Sequence, residues 1–172
     1  MPRLPSLAGT ETMIVLGIDP GLAATGYAVL DATNGRLRLL DSGCAKSTSR
    51  RPIEARVRTI YDGLTEVLAR WRPGVAVLEG LYSDYEFPRT AILMGHVRGV
   101  ICLAAEQHGA RVLEVSPAEV KQALTGSGRA SKEQIQRAVT RLLRLREAPE
   151  SEHVCDALGL AIVGAAREGV NL

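Results

Sequence analysis

Ile14-Val-Leu-Gly-Ile-Asp19-Pro-Gly-Leu-Ala-Ala-Thr-Gly-Tyr-Ala-Val29 is an apolar run that stops at an aspartate, turns on Pro-Gly and then resumes. Residues 13–18 have the length and continuous hydrophobicity of a buried strand. A carboxylate at the end of such a strand is costly unless something compensates it. Asp-Pro-Gly alone reads more readily as a turn than as a site. The meaning of Asp19 therefore depends on which other residues the fold brings to it.

Further along, residues 26–30 and 37–44 read as strands joined at Asn34-Gly35, a hairpin turn signal. Residues 52–71 carry Ile53, Val57, Ile60, Leu64, Val67, Leu68 and Trp71 on one helical face, with Pro52 near the first turn. Residues 75–78 form a short apolar strand that ends in Glu79, just as the first ends in Asp19. A helix over 90–109 and a strand over 111–115 follow. Ser116-Pro-Ala-Glu119 opens a helix with a capping box and proline at its first position. Residues 125–130 read as a flexible loop. Ser131-Lys-Glu-Gln134 is a second capping box, opening a helix to about 145, and a last helix spans 152–168.

The order β-β-β-α-β-α-β-α-α-α implies an α/β fold, a mixed five-stranded sheet whose antiparallel hairpin portion joins parallel strands, covered by helices. In such sheets ligands gather at the carboxyl ends of the central parallel strands. Asp19 and Glu79 both stand there. His153 and Asp156 lie three apart in Glu152-His-Val-Cys-Asp-Ala-Leu-Gly-Leu-Ala-Ile162, on one face of an otherwise apolar helix. Together the four offer three negative charges and one nitrogen donor. Such a set suits Mg²⁺ or Mn²⁺ better than zinc. Two ions so held can activate a water and stabilise the leaving oxygen of a phosphodiester.

The chain has 172 residues, 46% hydrophobic and 23% charged, an ordinary composition for one globular domain over 13–172. Residues 1–12 carry two prolines and no periodicity and read as a disordered leader; Met13 leaves open a second translation start. Cys44, Cys102 and Cys155 show no metal-binding or redox spacing and read as free thiols of a cytoplasmic protein. No apolar run reaches membrane-spanning length, so no membrane partner is expected. The net charge is only +2, but residues 120–146 hold Lys121, Arg129, Lys132, Arg137, Arg141, Arg144 and Arg146 against one acid, Glu133. That stretch could face a polyanion.

The blocks GIDPGLAATGYAV, VLEGLY, VKQALTGSGRASKEQIQRAV and HVCDALGLAI occur in an order and spacing that resemble the RuvC Holliday-junction resolvases, over about 13–167. The resemblance implies an RNase H-like fold and a homodimer. It implies a nuclease that cuts four-way DNA junctions by two symmetric nicks during recombination and DNA repair. It also implies two divalent ions held by Asp19, Glu79, His153 and Asp156. Lys121 and Lys132 take the places of family lysines near the metals or the DNA backbone. Lys132, just after the Ser131 cap, sits at a helix N-terminus suited to phosphate, and Lys121 could stabilise charge developing at phosphorus.

Arg129, Arg137, Arg141 and Arg144 are expected along the DNA, the last three down one helix face. Tyr82 falls where the family often has a base-stacking Phe. Tyr85 and Phe87 crowd the same loop, so three of the six aromatic residues stand beside Glu79. By resemblance the partners include the RuvA and RuvB branch-migration proteins.

Two departures from the family stand out. Many relatives have Asp where this chain has His153, which should favour Mn²⁺. The loop Ser83-Asp-Tyr-Glu-Phe-Pro88 is acidic where basic or amide residues are common. Other readings of the same residues are a nuclease on other branched DNA or RNA hybrids, and a junction-binding module without catalysis. An actin-like ATPase is disfavoured, because the chain has only one motif of that kind.

Overall fold

The computed structural model describes residues 12–80 and 88–172. Tyr82, Tyr85, Phe87 and almost all of the leader lie outside them. The strands are β1 (Ile14–Asp19), β2 (Ala24–Asp31), β3 (Arg38–Lys46), β4 (Val75–Glu79) and β5 (Arg111–Val115). The helices are α1 (Ile53–Trp71), α2 (Pro88–Gln107), α3 (Pro117–Thr125), α4 (Lys132–Leu142) and α5 (Glu152–Arg167). The sheet order is β3-β2-β1-β4-β5. β1–β2 and β2–β3 are antiparallel, while β1–β4 and β4–β5 are parallel. This is the mixed sheet that the strand order predicts.

Each strand of the centre serves two cores because successive side chains point to opposite faces. On one face Val15, Ala28, Leu30 and Val77 pack beneath α5. On the other, Leu16, Ile18, Val29, Ala76 and Leu78 pack against α1 and α2. β1 and β4 are covered on both sides, hence their unbroken apolar runs.

α5 reaches its face of the sheet by close backbone approach. A Cβ on Gly17 would stand 2.0 Å from the Ala157 carbonyl oxygen, and one on Gly26 would stand 2.2 Å from that of His153. Only glycine leaves room for the helix at these two points. Because Gly26 is the ladder partner of Asp19, the same contact lowers the His153 turn of α5 onto the end of β1.

Three local expectations are revised. The β2–β3 connection is wider than a two-residue turn. A 3₁₀ turn spans Thr33–Gly35, with Asn34 and Gly35 both in the left-handed region at φ 58° and 71°. The helix opened by Ser131 ends at Leu142, not 145. Arg144 turns left-handed at φ 51°, and the Leu145 N–H reaches back to the Thr140 carbonyl at 2.9 Å, a closing turn that needs no glycine. Arg144 therefore lies beyond the helix face of Arg137 and Arg141. At Ser116 only half of the capping box forms. The hydroxyl accepts from the Glu119 N–H at 3.2 Å, but the Glu119 carboxylate is taken by the Arg167 guanidinium at 2.7 and 2.5 Å. The Ser131 box forms completely.

Candidate active site

Asp19 and Glu79 end adjacent parallel strands, so their side chains leave the sheet at the same edge. Asp156 comes to that edge from the first turns of α5. The three carboxylates line one hollow of about 240 Å³ with Lys121 of α3 and Lys132 of α4; Val120, Ile135 and Leu160 form its apolar wall. His153 stands beside it, and its Nδ1 donates to Asp19 Oδ2 at 2.7 Å. The four expected ligands and both lysines thus converge from β1, β4, α3, α4 and α5.

Three side chains hold the chain where it leaves Asp19. Thr25, fully buried, donates to the Gly21 carbonyl at 2.8 Å and accepts from the Gly21 N–H at 3.3 Å. The Leu22 carbonyl accepts from Ser47 Oγ at 2.5 Å and from Arg56 Nη2 at 3.3 Å.

The acids are uncomfortable together. Burial raises the Asp19 carboxyl, only partly offset by the His153 hydrogen bond and the charge of Lys132. Glu79 is raised by burial and by the charges of Asp19 and Asp156, against the pull of Arg98 and Lys121. Asp156 is raised by burial in the hollow and by Asp19, against Lys132 and His153. Three anions that oppose one another's ionisation, lined by hard oxygen donors, fit a divalent cation. Among the described residues no three His, Cys, Asp or Glu side chains stand close enough to grip an ion as they are. Asp19 and His153 are instead closed on each other. Cys155 is no rival for chemistry: burial and Asp156 push its thiol up to about 11, so it stays protonated at neutral pH.

The basic residues divide. Lys132 pairs with Glu152, a partner that its position after the cap gave no hint of. Arg137 and Arg141 line a shallow hollow with Leu124 and Thr125. With Arg144 they also border a second hollow, so the three still share one surface despite the turn after Leu142. Arg129 is exposed in the α3–α4 loop and is not among the residues lining the carboxylate hollow. Sequence reading missed Gly26, Arg56 and Arg98. A glycine inside a strand marks close approach and an arginine inside the apolar run of α2 marks a buried charge; both were visible signals.

The family model for crossover junction endodeoxyribonuclease RuvC matches residues 15–164. The chain belongs to the RuvC family. The RuvC of Rhodopirellula baltica is 48% identical over 150 residues, covering 87% of this chain and 84% of the relative. The solved structure of Thermus thermophilus RuvC is 36% identical with a TM-score of 0.80, covering 92% of this chain and 98% of that one. T. thermophilus RuvC in complex with Holliday junction substrate gives a TM-score of 0.85 at 36% identity, covering 92% and 97%. The fold is accordingly RNase H-like, with the carboxylate hollow at the strand-end edge of the RuvC sheet. All three cysteines are free, as their spacing suggested. Among the described residues no helix is long and apolar enough to cross a membrane.

Proposed function

We infer that the chain is an endonuclease that resolves Holliday junctions by metal-dependent phosphodiester hydrolysis, in recombination and DNA repair. The observation that carries the reading is the convergence of Asp19, Glu79 and Asp156 on one hollow flanked by Lys121 and Lys132, in a chain of the RuvC family. Asp19, Glu79, His153 and Asp156 would hold two divalent ions, Mg²⁺ or Mn²⁺, and the Asp19–His153 hydrogen bond would yield to them. Bound there, the ions supply activation of a water and stabilisation of the leaving oxygen.

The rest is the work of the chain. Lys121, on the α3 wall, is placed to offset negative charge gathering on the scissile phosphate. Lys132, at the N-terminus of α4, exchanges Glu152 for a DNA phosphate. The surface of Arg137, Arg141 and Arg144 carries the backbone of a junction arm, with Arg129 beside it. The Val120–Ile135–Leu160 wall limits water around the reacting group. Tyr82, with Tyr85 and Phe87, would stack on bases unpaired at the crossover.

A homodimer would present two such hollows for two nicks across a pseudo-two-fold junction. RuvA and RuvB are the implied partners, and the cytoplasm the implied compartment. A junction-binding module without catalysis is disfavoured, because all four candidate ligands are kept and brought to one edge.

The test is cleavage of an end-labelled synthetic four-way junction in Mg²⁺, Mn²⁺ and chelator, with linear duplex and RNA–DNA hybrid as controls. Paired, symmetric nicks in the junction alone, absent in chelator, are the expected result. Binding without nicking in every metal overturns the reading.

A further inference from the structure

Arg98 is the one charged side chain among the described residues that is buried, at 8% exposure. A guanidinium in a core is costly unless its donors are satisfied in good geometry. Arg98 meets that demand in an unusual way. Its Nη1 donates to the main-chain carbonyl of Glu79 at 2.5 Å, and its Nη2 to the carboxylate of Glu114 on β5. The contact at Glu79 is to the backbone, not to the side chain. The same peptide unit is held from its other end, where the Gly80 N–H donates to the Val115 carbonyl at 2.8 Å. Both polar groups of the peptide that follows Glu79 are therefore fixed, one by β5 and one by α2.

We propose that Arg98 is a positioning residue for the carboxylate of Glu79: by pinning the peptide after it, Arg98 sets the direction in which that side chain leaves the strand end. The inference rests on Glu79 being a metal ligand, as read above. β4 needs such a device because its ladder with β1 has already ended at Leu78, leaving Glu79 on its β5 pairing alone. A strand end held on one side would pivot, and the carboxylate with it. Arginine suits the task because its fork meets two acceptors on two strands at once; an ammonium at the same place reaches one. Glu114 balances the charge, so Arg98 need not fold over the Glu79 carboxylate and compete with a cation for it. Ligand-orienting contacts of this kind are commonly worth about 10- to 100-fold in metal affinity.

The test uses full-length Arg98→Lys, Arg98→Met and Glu114→Gln. Mn²⁺ is titrated against the thermal midpoint without DNA, and four-way junction affinity is measured in chelator. For Arg98→Lys and Arg98→Met, the Mn²⁺ concentration giving half-maximal stabilisation should rise by about 10-fold or more. Junction affinity in chelator should stay within about twofold, and excess Mn²⁺ should restore most of the nicking rate. Glu114→Gln, at a half-exposed acid that keeps an acceptor for Arg98, should move the Mn²⁺ midpoint in the same direction by about two- to threefold.

A folded Arg98→Lys with an unchanged Mn²⁺ midpoint overturns the proposal, since a helix-to-sheet staple would lower stability without touching metal affinity. Should neither Arg98 variant fold, an unchanged midpoint in Glu114→Gln overturns it. Wild type that is not stabilised by Mn²⁺ removes the metal-ligand reading of Glu79 and the proposal with it. Wild type that binds Mn²⁺ but never nicks a junction counts against the nuclease reading and leaves the Arg98 titration decisive.

Discussion

Asp19 and Asp31 close neighbouring antiparallel strands at opposite ends of one ladder, Asp19 across from Gly26 and Asp31 across from Ile14. They are the same residue in nearly the same backbone, yet the fold treats them in opposite ways. Asp31 accepts from the Thr33 N–H at 3.0 Å and from Arg38 at 2.9 Å. Hydrogen bonds from Thr33, hydroxyl first and then N–H, hold its carboxyl below the ordinary range, with Arg38 adding a smaller pull. Asp19 is half-buried beside two other acids, and its carboxyl is raised. One end of the ladder uses its anion for stability; the other carries an anion whose ionisation its surroundings make more costly. A carboxyl raised in this way, in a hollow shared with two other acids, marks a candidate ligand site.

The comparison breaks most sharply at Asp19→Asn. Junction nicking should fall by about 10³-fold or more, and stabilisation by Mn²⁺ should disappear from thermal melts. Nicking within tenfold of wild type would reduce Asp19 to a turn residue. The neutral variant Glu79→Gln sharpens the same contrast. Because the Glu79 carboxyl is raised in the fold, its ionisation costs stability above that raised value, and the cost vanishes below the ordinary carboxylate range. In metal-free buffer near neutrality Glu79→Gln should therefore melt higher than wild type, by about 2–4 °C for each kcal/mol relieved, with the gap closing in acid.

Gly26→Ala probes the ladder opposite Asp19. Its Cβ would stand 2.2 Å from the His153 carbonyl, so α5 must lift, at a cost of about 1–3 kcal/mol. The urea midpoint should drop and nicking should fall with it; an unchanged midpoint would mean that α5 does not rest on β2.

Asp31→Asn is milder. At neutral pH it should lose about 1 kcal/mol with nicking intact. A carboxyl lowered in the fold contributes fully above its unfolded value and loses that contribution as pH falls through its folded value. Wild type and Asp31→Asn should therefore converge in acid, and a gap that persists to low pH would show that the hydroxyl and N–H of Thr33 are not the cause.

The smallest effect concerns metal choice. Wild type should nick faster in Mn²⁺ than in Mg²⁺, and His153→Asp should narrow the difference by a few-fold. Equal rates in both metals for wild type would remove His153 as the source of preference.

Much of this was readable in advance because the signals were local. Asp19 and Glu79 each end an apolar run, Ser131 and Gln134 satisfy each other within one turn, and His153 and Asp156 share a helix face by spacing alone. What escaped depends on distance in sequence. Nothing near Arg98 names the Glu79 carbonyl, and nothing near Lys132 names Glu152. Glu119 looked like a capping partner until Arg167, 48 residues on, took its carboxylate. The end of α4 was misplaced because Arg144 adopts a left-handed conformation that glycine usually signals. The acidic loop 83–88 falls mostly outside the described residues.

α5 covers one face of the sheet and carries two of the four candidate ligands, and residues 152–167 that form it come after every strand. While the chain is being made, β1 and β2 wait with a bare glycine-lined strip until this helix arrives. Contacts between it and β1 span well over a hundred residues, the kind that form slowly and late. Completion of the core and completion of the candidate site are thus a single event. A nascent or half-folded copy has Asp19 and Glu79 in place but still lacks the two candidate ligands that α5 brings, His153 and Asp156.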